Sequence, residues 1–481
     1  MNRTTRTLTA MLMIAAGLLA ACVTAAQAEQ YLIVAKGHGF SAAFDAAVKE
    51  AGGTVDLKLA AIGVAVARSD DPDFLAKAAA IAEVQSVAPD PKLPIERGTY
   101  ADDGSSGGSP WGNSPPDLTS FQWARQAIHA NDARALGFTG RGVRVVVMDG
   151  SIMTQHPGLA RLNVALSKSF VPEEGIEFVP GGVAGNFSHA THVAGIIAAN
   201  QTATGGGTIG VAPEAELVLA KVGRDEFETI RPSAAIAALV YAADIDADVV
   251  NMSWSMYLWK FQASWYPGYP PEWHSTAIRT ACQRAATYAH EHGVTLIAAA
   301  GNAALDFDHY ADLYSIPRDL PHVIAVSATG PVGWARNAEA NLDLPAQYTD
   351  YGQSIIDLAA PGGGGDPAND WAPVTLPCDE LPDGITLPGF VFDMVLSTGT
   401  RFSPADPFEP SGTWTWARGT SMAAPHVAGV AALVIQANGG RVTPDQVRTI
   451  LQQSADELGK SGNDDFYGLG RVNALRAVLQ K

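Results

Sequence analysis

Residues 418–429 read Arg-Gly-Thr-Ser-Met-Ala-Ala-Pro-His-Val-Ala-Gly, with Ser421 on a small Gly-led turn ahead of a run of small and apolar residues. That run reads as a buried helix. Thr420 and Ser421 suit a helix cap, and the positive end of the helix dipole faces any charge that develops there. The chemistry this suggests is nucleophilic attack. A serine is a poor nucleophile at its free pKa, so the turn needs a base and a group that orients the base.

Three other residues are candidates. Asp149 follows the apolar run Val143–Met148, and Asn302 follows Val294–Ala300 and Gly301. His189 stands in Ser188-His189-Ala190-Thr191-His192-Val193-Ala194-Gly195, which reads as the first turn of a helix. Singly, each has a plain reading: a turn aspartate, a Gly-Asn turn, a structural histidine. Together they place a carboxylate, an imidazole, an amide donor and a hydroxyl at successive strand ends and helix starts. That set fits acyl transfer, with Asn302 aimed at a developing oxyanion.

The elements that must hold them have an α/β pattern. Strands are expected at Val143–Met148, Glu216–Val222, Asp248–Met252, Val294–Ala300, Val323–Ser327 and Ile355–Leu358. Helices are expected at His192–Ala199, Pro232–Ala243, Thr276–His292, Ser421–Asn438, Pro444–Ser454 and Val472–Leu479. The strands are near-continuous apolar runs, as in a parallel sheet covered on both faces, where sites lie beyond the strands' carboxyl ends. Ahead of this region, residues 30–90 read as a β-α-β-β-α-β unit, and Gly98–Pro116 is rich in Gly, Ser, Pro and Asp. The unit reads equally as a removable pro-segment or a permanent N-terminal domain.

The Asp–His–Ser order, with the wording around each residue, resembles the subtilisin-like serine proteases (subtilases, peptidase S8). The matching blocks are Val145–Asp149 with His156-Pro157, His189–Gly195, Val250–Ser253, Ala299–Asn302, Val323–Val326, Gly419–His426 and Tyr467–Ala474. The resemblance implies a subtilisin-like three-layer fold with a mostly parallel central sheet over 121–481. It further implies an inhibitor-type (I9-like), ferredoxin-like α+β propeptide over 30–92 and a flexible linker over 93–120. On it, Asp149, His189 and Ser421 are the catalytic residues and Asn302 the oxyanion donor. Ser253, Trp254, Ser255, Ala300 and Gly301 bind an extended substrate strand. The chain is then a self-processing zymogen whose propeptide inhibits it; the alternative is a catalytically impaired scaffold of the same fold. Two departures bear on that choice. Gly150-Ser151 reverses the family's usual order after the aspartate, and Ala190 replaces a glycine, which suits only a negative φ.

No cofactor is implied. The family's calcium sites often use an acidic residue after the His-Pro pair, where this chain has Gly158, and the loop 200–208 lacks carboxylates. That site is expected to be absent, with calcium elsewhere left open. Two insertions stand out. Trp254–Trp273 is rich in aromatics and reads either as a wall of the substrate cleft or as a local core. Gly362–Val395 is rich in Gly, Pro and Asp; its Cys378 is a candidate disulfide partner for Cys282.

The 481 residues allow two or three domains, and 31 basic against 49 acidic residues give a net charge of −18. That balance argues against a nucleic-acid or anionic-membrane binder. Three cysteines are too few for a disulfide scaffold. Arg3, Arg6 and the apolar stretch Ala10–Ala21 read as an export signal over 1–28 of a bacterial protein. Two processing readings stand open: a lipobox at Leu19–Cys22, lipidating Cys22, or cleavage after Ala28. The first gives a cell-envelope lipoprotein, the second a periplasmic or secreted protein.

Overall fold

The structure, a computed structural model, describes residues 29–95, 99–101, 115–178, 187–224, 229–260, 272–310, 312–364, 370–403 and 406–480. The export segment, Cys22 included, lies outside them. The chain divides into two compact units: residues up to 94 with 259–281, and residues 95–258 with 282–481.

In the first unit, four antiparallel strands lie in the order Thr54–Leu59, Val64–Ser69, Glu29–Ala35, Val84–Pro89. Two helices cover the sheet. Phe44–Glu50 buries Phe44 and Val48, and Phe74–Ala79 buries Phe74 and Ala78, in each case the i and i+4 positions. Alternate strand residues Tyr31, Ile33, Ala65 and Ala67 complete the core. Burying each phenylalanine contributes about 1.5–3 kcal/mol. Gly53 is required here, because a Cβ would run into the Phe74 ring.

The second unit is built on an eight-stranded sheet. Its path runs Leu344–Pro345, Val323–Gly330, Thr295–Ala299, Val249–Met252, Arg144–Asp149, Glu216–Lys221, Lys168–Ser169, with Leu358–Pro361 also beside Val323–Gly330. All of these pairs are parallel except that of Leu344–Pro345. The central strands are buried on both faces, as their unbroken apolar runs require. The last strand starts later than the sequence suggests, because Ile355 and Ile356 both donate to the Gly352 carbonyl in a turn. Helix Thr420–Ala437 crosses the sheet, buried from Thr420 to Ile435. Among the described residues it alone is long and apolar enough to cross a membrane, and here it is core.

The insertion 362–395 is not a featureless loop. Pro373–Cys378 and Leu381–Pro388 form a hairpin followed by a short helical turn, Gly389–Asp393. Val374, Leu376, Ile385 and Leu387 face a cluster with Phe392, Trp414 and Trp416; Gly, Pro and Asp in between hide this alternation in the sequence. Cys378 belongs to that cluster and Cys282 to helix Glu272–Glu291; both are buried, and the candidate disulfide between them is not formed. Within the stretch read as linker, Thr99–Ala101 is a strand paired antiparallel to Trp416–Arg418.

Candidate active site

Asp149 ends the Arg144–Asp149 strand and His189 begins helix His189–Ala198. Ser188 caps that helix, accepting the Thr191 N–H at 3.2 Å, and its hydroxyl donates to the Ser151 carbonyl at 2.7 Å. The cap thus ties the histidine's helix to the loop after the aspartate. A second strand, Val395–Ser403, crosses the helix so closely that a Cβ on Gly195 would strike Ser397 and Thr398. The result sets His189 Nδ1 at 2.9 Å from both Asp149 carboxylate oxygens. A carboxylate only accepts, so Nδ1 carries the hydrogen and Nε2 is the basic nitrogen. Nε2 is buried with no hydrogen-bond partner among the described residues.

The reversed Gly150-Ser151 pair is accommodated. Gly150 N–H donates to Asp149 Oδ1 at 2.7 Å, while the Ser151 hydroxyl accepts from Lys221 Nζ at 2.5 Å. Ala190 is an ordinary helical residue without positive φ, so neither departure disturbs the Asp149–His189 pair.

Ser421 is the second residue of its helix, and its N–H is among the first four, which have no acceptor within the helix. Its hydroxyl donates to the Ser253 carbonyl at 2.9 Å, and Ser253 Oγ donates to the Ser421 carbonyl at 2.8 Å. Asn302 is held by its oxygen, which accepts the Thr420 N–H at 2.8 Å and the Thr420 hydroxyl at 3.0 Å. Its donor end is therefore turned away from Thr420. Ala300 and Gly301 use their main-chain groups to shape this turn. The Ala300 carbonyl accepts from Arg318 at 3.0 Å, Gly301 N–H reaches Thr420 Oγ1 at 3.1 Å, and the Gly301 carbonyl accepts from Asp350 N at 2.9 Å. Gly301 sits at φ +118°, and a Cβ there would collide with Asp350 and Tyr257.

The geometry is that of a base–acid pair, a hydroxyl and an amide turn gathered at the carboxyl ends of parallel strands. Residues 140–470 match the subtilase family model. The chain belongs to the subtilase family. M-protease of Shouchella clausii is 31% identical over 360 residues, which cover 75% of this chain and 70% of that one. Thermitase of Thermoactinomyces vulgaris is 29% identical over 363 residues, covering 76% and 98%. The fold is also that of the epidermin leader peptide processing serine protease of Staphylococcus aureus, with TM-score 0.69 at 20% identity over 95% of this chain and 100% of the other. This subtilase is a serine endopeptidase, and its substrates are peptides or proteins.

Trp254 is buried, its indole donates to the Met148 carbonyl at 2.9 Å, and it lines the small cavity beside Asp149 and His189. Gly223 and Ile230, from the antiparallel pair Gly223–Arg224 and Thr229–Ile230, line the cavity from another side. Ser255 is buried, its hydroxyl without a partner among the described residues. Trp265, Tyr266 and Tyr269 lie outside the described residues, as does the side chain of Trp273.

Sequence reasoning missed the support behind the Asn302 turn. Asp350 is fully buried and accepts from Ala303 N at 3.1 Å, Leu305 N at 3.0 Å and the Tyr257 hydroxyl at 2.7 Å. Arg318, also buried, lies 3.8 Å from it and over the Phe307 ring. Burial raises the Asp350 carboxyl to about 6, against the pull of Arg318 and these hydrogen bonds. No local pattern announces this group, whose members stand far apart in sequence.

His192, one turn on from His189, is structural. His192 donates Nε2–H to the Thr415 carbonyl at 2.9 Å, and burial lowers it to about 3. Gly158 packs against Thr398, whose Cγ2 a Cβ would meet at 2.9 Å, so the position is cramped for a larger side chain. Away from the cleft, His290, His322 and Asp445 bring donor atoms within 4.8 Å of one another. The two imidazoles are stacked at 3.8 Å and 15°, so their in-plane lone pairs run side by side rather than toward one point.

Proposed function

We propose that Asp149, His189 and Ser421 form the catalytic triad of an exported, self-processing serine endopeptidase. The observation that carries this is the paired contact of His189 Nδ1 with Asp149, which leaves Nε2 as the basic nitrogen. Ser421 Oγ leaves the Ser253 carbonyl, attacks the peptide carbonyl and passes its proton to His189 Nε2. His189 then protonates the departing amine, while Asp149 holds the ring's tautomer and stabilises the imidazolium. Asn302 Nδ2 and the Ser421 N–H stabilise the oxyanion. The substrate lies extended beside Ser253–Ser255 and Gly223–Arg224, bound through its main chain. The steps so drawn use only protein groups and water, with no cofactor or calcium.

Residues 30–92 act as an intramolecular inhibitor that is removed on maturation. The charged and apolar N-terminal segment supports export, with attachment through a lipidated Cys22 or free release as its two outcomes. Expression of wild type and Ser421→Ala in a protease-free translation system tests the whole reading. The wild type is expected to lose its N-terminal module and hydrolyse a protein substrate. The variant is expected to persist at full length without hydrolysis. Equal maturation of both would remove self-processing from the account.

A further inference from the structure

We infer that Asp350 is a positioning residue for the oxyanion turn, gripping the main chain on both sides of Asn302 and so setting where its amide points. The inference rests on the reading of Asn302 as the oxyanion donor and goes beyond it.

Asn302 is held at its side chain and at its main chain. The side-chain oxygen accepts the Thr420 N–H and hydroxyl at 2.8 and 3.0 Å. Bonds to that one atom do not set the direction of Nδ2, which also depends on where the main chain carries the Asn302 Cα. Four contacts fix the chain there. Ahead of Asn302, the Asp350 N–H donates to the Gly301 carbonyl at 2.9 Å, and Arg318 Nη1 donates to the Ala300 carbonyl at 3.0 Å. Beyond it, Asp350 Oδ1 accepts from Ala303 N at 3.1 Å and from Leu305 N at 3.0 Å. Three of these four belong to Asp350, and the fourth to the guanidinium that lies 3.8 Å from its Oδ2.

The chemistry of the side chain suits this task. An ionised carboxylate only accepts, so N–H groups that converge on one of its oxygens draw their stretch of chain into a turn. The other oxygen is fixed by the Tyr257 hydroxyl at 2.7 Å. The carboxylate lies so close to Gly301 that a Cβ there would strike Oδ2. A buried ion pair is weak evidence for stability, because apolar groups of the same volume often serve as well. Apolar groups cannot orient N–H donors, and orientation is what Asp350 supplies. Oxyanion donors work by being in place beforehand, and about 1 Å of misplacement can cost roughly 10²-fold in rate. Among the described residues Asp350 makes no hydrogen bond to Asp149, His189 or Ser421, so its loss is expected to act on turnover through Asn302.

The test is a double-mutant cycle on the purified protein with a chromogenic peptide amide, kcat being normalised to sites titrated with a fluorophosphonate. It is run at pH 8, where Asp350 is ionised, since burial raises its carboxyl only to about 6. Asp350→Ala is expected to lower kcat about tenfold or more and to leave KM within about twofold. In the Asn302→Ala background the same change is expected to lower kcat by less than about twofold. Asp350→Asn keeps an oxygen acceptor for Ala303 and Leu305 and is expected to recover most of the loss. If Asp350→Ala does not fold, Tyr257→Phe, which removes one hydrogen bond to Oδ2, carries the same cycle with a loss of about twofold to fivefold. An unchanged kcat, or an equal loss with and without Asn302, overturns the inference and leaves the oxyanion reading standing. Full kcat in Asn302→Ala overturns that reading and the inference with it.

Discussion

Pro425 and Ser253 are linked through one carbonyl. Pro425 has no N–H to donate to the residue four positions back, which is Ser421. Ser253 Oγ takes that role at 2.8 Å, and Asn251 Nδ2 donates to Ser253 Oγ at 2.9 Å. A proline inside the Ser421 helix thus opens a place that the Ser253 hydroxyl fills, and Ser253 and Ser421 are fixed to each other.

Ser253→Ala removes that donor and leaves buried polar groups on both sides without a partner. Each such group costs about 1–3 kcal/mol. Urea unfolding is expected to show a loss of about 2–6 kcal/mol for the two groups together, and turnover is expected to fall more than KM rises. Unchanged stability would mean that the Ser421 carbonyl finds another donor.

Asp149→Asn tests the tautomer. A carboxamide can donate to Nδ1, which moves the ring hydrogen to Nε2 and removes the base. Turnover is expected to fall roughly 10⁴-fold with the fold intact by circular dichroism. A loss below about tenfold would assign the orienting role elsewhere.

Asn302→Ala tests the oxyanion turn. Turnover is expected to drop by roughly 10²–10³ with little change in KM. A change confined to KM would place Asn302 in ground-state binding instead.

Asp350 predicts a pH dependence of stability. An unfolded aspartate titrates near about 3.9, and the folded Asp350 carboxyl is raised to about 6 by burial. Between those values the folded chain holds a proton that the unfolded chain has lost. Its contribution to stability therefore falls as pH rises from about 4 to about 6, by on the order of 3 kcal/mol, and levels off above. Asp350→Asn removes this trend. The difference in unfolding free energy between the two proteins across that window checks it, and a flat difference counts against a raised Asp350.

The four groups proposed to react were legible because each sits where a chain-local rule puts it. Asp149 and Asn302 follow buried parallel strands, and His189 and Ser421 start helices. The strands themselves could be read to within a few residues because burial on both faces leaves unbroken apolar runs. What the sequence hid depends on long-range packing. Composition left Trp254 open between a cleft wall and a local core, and the bond from its indole to the Met148 carbonyl is visible only in the fold. Asp350, Arg318 and Tyr257 meet only in the fold, and the hairpin at Pro373–Pro388 is obscured by its own Gly, Pro and Asp content.

The central claim is that Ser421, activated by His189 and Asp149, is the nucleophile. Active-site labelling of the mature protein with a fluorophosphonate, followed by peptide mapping, tests it most directly. One label per chain on Ser421 is expected in the wild type, with labelling lost in Ser421→Ala and greatly slowed in Asp149→Asn. Label on another serine, or equal labelling of wild type and Ser421→Ala, would contradict the account.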